Sequence, residues 1–115
     1  MALNKDKEVK KEITRLTNLY KDVERVKRLT AKNLIEEAAY MKATLKELKE
    51  AIDEHGPIDE MPQGAYSILR EHPALKSYTT MVQRYSGIIK QLTDLLPKEQ
   101  QKEVDDGFEA FLNEK

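Results

Sequence analysis

The sequence predicts an all-α protein, and three observations carry that prediction. No Gly or Pro occurs between Met1 and His55, so no strong breaker interrupts the first half. Apolar residues recur at alternating steps of three and four. The composition is rich in Lys, Glu, Leu and Ala, with 36% charged residues and no Cys. A length of 115 residues argues for one domain. The apolar runs are far shorter than the roughly 18 to 20 residues a membrane span needs, and residues 1–10 lack the apolar core of a signal peptide. A cytoplasmic protein with no membrane partner is expected. The absence of Cys excludes disulfides, thiolate metal sites and cysteine nucleophiles.

The elements follow in order. Val9, Ile13, Leu16, Tyr20 and Val23 form a heptad seam on a first helix. Lys27 and Thr30 then fall where the seam asks for apolar residues, and the register breaks. Asn33 with Glu36 three positions on reads as a cap, which starts a second helix at Leu34; the alternative is a continuous helix with a stutter. Its seam is Leu34, Ala38, Met41, Leu45, Leu48 and Ile52, and Gly56 ends it. Pro57, Pro62 and Gly64 keep the next stretch non-helical. A loop over 55–73 is long for a compact domain, so Ala65–Glu71 is expected to form a short helix that packs Tyr66, Ile68 and Leu69 onto the body.

Pro73 suits a first helical position. Behind it Leu75, Tyr78, Val82, Tyr85, Ile89, Leu92 and Leu96 alternate three and four up to Pro97. Helices over 34–54 and 74–96 are each roughly 32 Å long, matched as in an antiparallel helical hairpin. A weak C-terminal helix places Val104, Phe108, Phe111 and Leu112 on one face, with Gly107 in its middle. The expected organisation is a basic N-terminal arm (1–32), a central helical hairpin (33–97) and an acidic C-terminal segment (98–115), with oligomerisation through the helix seams.

The near-neutral total of −1 hides a strong segregation of charge. Residues 1–32 carry a net +5, 33–64 a net −5, 65–96 a net +2 and 97–115 a net −3. On a helix, Lys21, Arg25, Arg28 and Lys32 fall within about 60° of one another. Lys7 and Lys10 join that side if the helix continues upstream, while Leu16, Leu19, Val23 and Val26 lie opposite and are expected to be buried. Such a stripe is either a phosphate-tracking surface or a plain solvated face.

The catalytic inventory is thin. None of the four glycines belongs to a phosphate loop of the GxxxxGK[ST] type. His55 and His72 sit at helix ends, where capping and dipole effects account for them. Ser67, Ser77 and Ser86 offer few nucleophile and base pairings. Glu36 with Glu37, and Glu71 beside His72, read as solvent-facing charges. No enzyme, cofactor or metal is expected. Leu45, Leu48, Ile52, Tyr78, Val82, Tyr85, Ile89 and Leu92 read as helix-packing positions, within one chain or between copies.

A more specific pattern runs from residue 20 to 97. Leu34-Ile35-Glu36-Glu37-Ala38-Ala39-Tyr40-Met41 and Thr44-Leu45-Lys46-Glu47-Leu48 are followed by His72-Pro73-Ala74-Leu75-Lys76-Ser77-Tyr78 and then Ile88-Ile89-Lys90-Gln91-Leu92-Thr93-Asp94-Leu95-Leu96-Pro97. This order resembles small phage proteins of Gram-positive hosts, among them the small subunit of the tailed-bacteriophage terminase. The resemblance implies a non-catalytic part of the genome-packaging motor in the host cytoplasm. Such a protein would oligomerise, in rings, bind double-stranded viral DNA and recruit a large subunit that carries the ATPase and nuclease. The N-terminal segment is too short for the helix-turn-helix that many such proteins carry. By charge, that leaves Lys21, Arg25, Arg28 and Lys32 as the DNA-contacting residues. Phe108 and Phe111 in the acidic tail either dock the large subunit or pack on the body. The alternative is a small phage-encoded helical adaptor or inhibitor whose seams bind a partner helix.

Overall fold

The structure, a computed structural model, describes residues 2–56, 58–101 and 111–112, with side chains from residue 5 onward. It is mostly helical: α1 is Ala2–Leu19, α2 is Arg25–His55 and α3 is Pro73–Asp94. A two-stranded antiparallel sheet, β1 (Ile58–Gln63) and β2 (Tyr66–Glu71), lies between α2 and α3.

Chain direction reverses between α1 and α2, over residues 20–24, some ten residues before the expected break. Thr17, Asn18, Asp22 and Val23 are all poor helix formers, and together they let the helix end without Gly or Pro. Tyr20 N–H donates to Thr17 O at 3.0 Å and Val23 N–H to Tyr20 O at 3.1 Å, closing two tight turns. The Tyr20 hydroxyl then donates to Leu92 O at 2.6 Å, fixing the corner to α3. From Arg25 the helix runs unbroken to His55, so the expected cap at Asn33 is an exposed mid-helix position and the expected boundary after residue 32 falls inside α2.

α2 is the spine, packing on α1 along one side and α3 along the other. Its buried residues are small, Ala31, Ala38, Ala39 and Ala43 beside Ile35 and Leu45, which lets both neighbours approach closely. The core joins these to Leu16 and Tyr20, to Tyr85, Ile89 and Leu92 of α3, and to Leu96 and Phe111. Of the packing positions read from the seams, Leu45, Tyr85, Ile89 and Leu92 are buried, and Leu48, Ile52, Tyr78 and Val82 are half-buried. Across α1 and α2, Lys5 pairs with Glu47 (2.9 Å), Glu8 with Lys46 (3.2 Å) and Glu12 with Lys42 (3.4 Å). Positions that rise along α1 meet positions that fall along α2, as opposed directions require.

Gly56 ends α2 at φ 81°, its N–H donating to Ile52 O at 2.6 Å. His72 caps α3 by accepting the Ala74 N–H at Nδ1 (3.1 Å), and Pro73 follows in the first turn. His55 and His72 stack with ring centroids 5.7 Å apart, so the two helix ends meet at the base of the sheet.

The short helix expected over Ala65–Glu71 is instead a strand. Gly64, at φ 70°, and Ala65 form a two-residue loop between partners Gln63 and Tyr66, the II′ pattern that matches strand twist. The loop closes a hairpin before a helix can start, and Tyr66, Ile68 and Leu69 stay exposed instead of packing on the body. Val104, Gly107 and Phe108 of the expected C-terminal helix lie outside the described residues.

Candidate nucleic-acid interface

Arg25, Arg28 and Lys32 sit at i, i+3 and i+7 on the first turns of α2, and Lys21 sits in the corner just before it. The fold brings all four around one open groove of about 450 Å³, floored by Tyr20, Leu29 and Ile35 with Thr17 at its edge. Arg28 Nη1 donates to Lys21 O at 3.4 Å, tying the corner to the helix. Among the described residues, none of the four cations forms an ion pair. Four unneutralised cations around a concave, partly apolar surface concentrate positive potential there and draw anions to it.

The structure separates Lys7 and Lys10 from this group. The expectation that they share its side required a helix continuous through residue 24, and the corner reverses α1. Lys7 lines a different depression with Lys5, Glu8, Lys11, Lys46, Glu47 and Glu50, where three carboxylates offset all but one of the four cations. Lys10 is exposed on α1, away from the corner.

Val26, expected on the buried side, is 64% exposed, and Leu29 is 58% exposed. The phase of α2 is set by Ala31, Ile35 and Ala38 against α1 and α3, not by the α1 seam, so the first turn of α2 leaves both side chains in solvent. With Leu34 they form a shallow patch edged by the polar Thr30, Asn33 and Gln91, and it adjoins the cationic groove through Leu29. Reading the corner from the weak formers between Thr17 and Val23 would have exposed this patch in the sequence.

A second polar centre is structural. Glu12 is buried on α1 and accepts from Arg15 Nε at 2.8 Å and Nη2 at 2.7 Å, with the Lys42 ammonium 3.4 Å away. Burial disfavours its charged form, but the Arg15 hydrogen bonds and the charges of Lys42 and Arg15 prevail, holding the carboxyl below its usual range. The Tyr85 phenol nearby is pushed well above its usual range, by burial first and by the Glu12 charge second. Phe111 packs edge-on against Tyr85 at 5.9 Å, with the Lys42 ammonium 5.5 Å from its ring. Its ring is therefore committed to the core, whereas Leu112 beside it is exposed.

Among the described residues, no group of three or more His, Asp or Glu is placed to hold a metal ion, and no helix is long and apolar enough to cross a membrane. Comparison with known proteins finds no matching family model, no similar curated protein and no similar solved structure.

Proposed function

We propose that this chain is a non-catalytic, DNA-binding component of a phage genome-packaging terminase, acting as a small subunit that holds viral DNA and hands it to the large ATPase and nuclease subunit. The observation that carries the DNA part is the convergence of Lys21, Arg25, Arg28 and Lys32 on one groove without carboxylate partners. The packaging context is supported by the resemblance over residues 20–97. In this reading the antiparallel helical hairpin of α2 and α3 is the rigid frame of an oligomer, and the cationic corner tracks phosphates without reading bases.

Salt dependence tests it. Four neutralised phosphates give a slope of about −3.6 in log affinity against log salt, a drop of about 150-fold between 50 and 200 mM. Arg25→Glu with Arg28→Glu removes two contacts and at least halves the slope. Undetectable binding to duplex DNA at low salt, or an unchanged slope in the double variant, refutes the assignment. The exposed Val26 and Leu29 favour the competing reading, a helical adaptor that grips a protein partner. Absent DNA binding, with stoichiometric recovery of a host protein, selects it.

A further inference from the structure

The hairpin projects from the helical body. α2 spans about 46 Å and a six-residue strand about 20 Å, and their sum matches the 63 Å long axis of the molecule. All six residues of β2 are exposed, and an isolated two-stranded hairpin is marginally stable in water. Its two faces differ. Cross-strand register puts Asp59, Met61, Arg70, Ile68 and Tyr66 on one face, where Arg70 pairs with Asp59 at 3.1 Å. The other face carries Ile58, Pro62 and Leu69, with Glu60 opposite Leu69 and Glu71 opposite Ile58. Leu69 is 73% exposed, and neither glutamate has a cationic partner among the described residues.

That face is an apolar centre flanked by free carboxylates. At the far pole, Val26 and Leu29 lie with Leu34 in a shallow patch edged by Thr30, Asn33 and Gln91, and Arg25, Arg28 and Lys32, none of them in an ion pair among the described residues, border it on the Leu29 side. The two surfaces are complementary in polarity and in charge, and they lie at opposite ends of one elongated chain. No chain can bring its own hairpin to its own patch. We infer that the Ile58–Leu69 face of the hairpin docks head to tail on the Val26–Leu29 patch of a second copy of this chain.

Such a contact is heterologous: each copy gives its hairpin to one neighbour and receives one from another. Repetition closes a ring if the rotation permits and otherwise gives a filament. Burial of Leu69 and Ile58 supplies the apolar contact that the hairpin lacks in one chain, and the charge pairs fix its orientation. Arg25, Arg28 and Lys32 cannot pair with a neighbour's carboxylates and with phosphates at once, so DNA and the docked hairpin compete for this corner, and the inference does not rest on DNA binding.

Native mass spectrometry of the full chain tests it with two single variants at exposed positions, Leu69→Asp and Leu29→Asp. The wild type is expected to assemble beyond a dimer, and each variant alone to be monomeric with an unchanged helical circular dichroism signal. An equimolar mixture is the decisive sample. It retains one good hairpin and one good patch on different chains, so it forms a heterodimer and nothing larger. Glu60→Lys with Glu71→Lys, which leaves the apolar residues in place, also gives the monomer. A monomeric wild type overturns the inference, as does a mixture that stays monomeric. Wild-type assembly of Leu29→Asp, with loss in Leu69→Asp, overturns it in favour of hairpin-to-hairpin pairing. A protein that stays monomeric but binds DNA with the slope given above refutes this inference alone.

Discussion

Replacing Tyr20 by Phe isolates the hydrogen bond that fixes the α1–α2 corner. The hydroxyl donates to Leu92 O at 2.6 Å in a buried setting, and the same carbonyl also accepts the Leu95 N–H at 3.1 Å. The variant therefore leaves no orphaned acceptor, and the loss is that of one net hydrogen bond, about 1 kcal/mol. For a chain of this size that lowers the melting temperature by about 4 °C. Tyr20→Ala also removes a ring that is only 2% exposed, at a cost of about 3 to 5 kcal/mol. Urea unfolding followed by circular dichroism separates the two, with an unchanged m-value expected for Phe. The buried Tyr20 phenol also has an alkaline signature. Burial pushes the Tyr20 phenol well above its ordinary range, so the folded chain holds that proton more tightly than the unfolded chain does. Its contribution is full below about pH 10 and is lost as pH rises beyond that. Tyr20→Phe flattens part of that loss. A Phe variant as unstable as the Ala variant, or one indistinguishable from wild type, refutes this account of the corner.

Other perturbations reach different parts of the molecule. Because its folded pKa is depressed, Glu12 stabilises the protein above the ordinary carboxylate range and ceases to do so as pH falls through the folded value. Glu12→Gln costs about 1 to 2 kcal/mol at pH 7 and leaves a shallower acid limb in a pH series of urea melts. Phe111→Ala empties a core site and costs about 3 kcal/mol, while Leu112→Ala is neutral. Thermal melts of the two variants check this, and equal melting temperatures would show that Phe111 does not pack on Tyr85.

What the sequence revealed depended on where local signals were unopposed. Gly56 and Pro73 mark the end of α2 and the start of α3 because Gly and Pro act on the backbone itself, while the α3 seam runs two residues past the helix, which ends at Asp94 and not at Leu96. The corner was missed because no single residue breaks the helix there: four weak formers and one long-range bond from Tyr20 do so jointly, and only the first are visible in a sequence. The hairpin was missed for a related reason. Pro62 and Gly64 signal only that a helix breaks; the turn itself lies in the Gly64-Ala65 pair between Gln63 and Tyr66, a weaker signal than Asn-Gly or Asp-Gly. The cationic cluster was legible through its 25, 28, 32 spacing, which survives whatever precedes the helix. The placement of Lys7 and Lys10 was not, because it assumed a straight chain through residue 24.

Among the described residues, every large interface joins elements close in chain order: α1 with α2, β1 with β2, and α2 with α3 across the hairpin that separates them. Assembly thus requires short loop closures, whose entropy is small, and no strand must wait for a distant partner. Folding should be fast and can follow synthesis, since α1 and α2 can close on each other before residues 73–94 exist. The long-range bond from Tyr20 to Leu92 then acts last, as a latch that registers a finished α3 against a corner already formed.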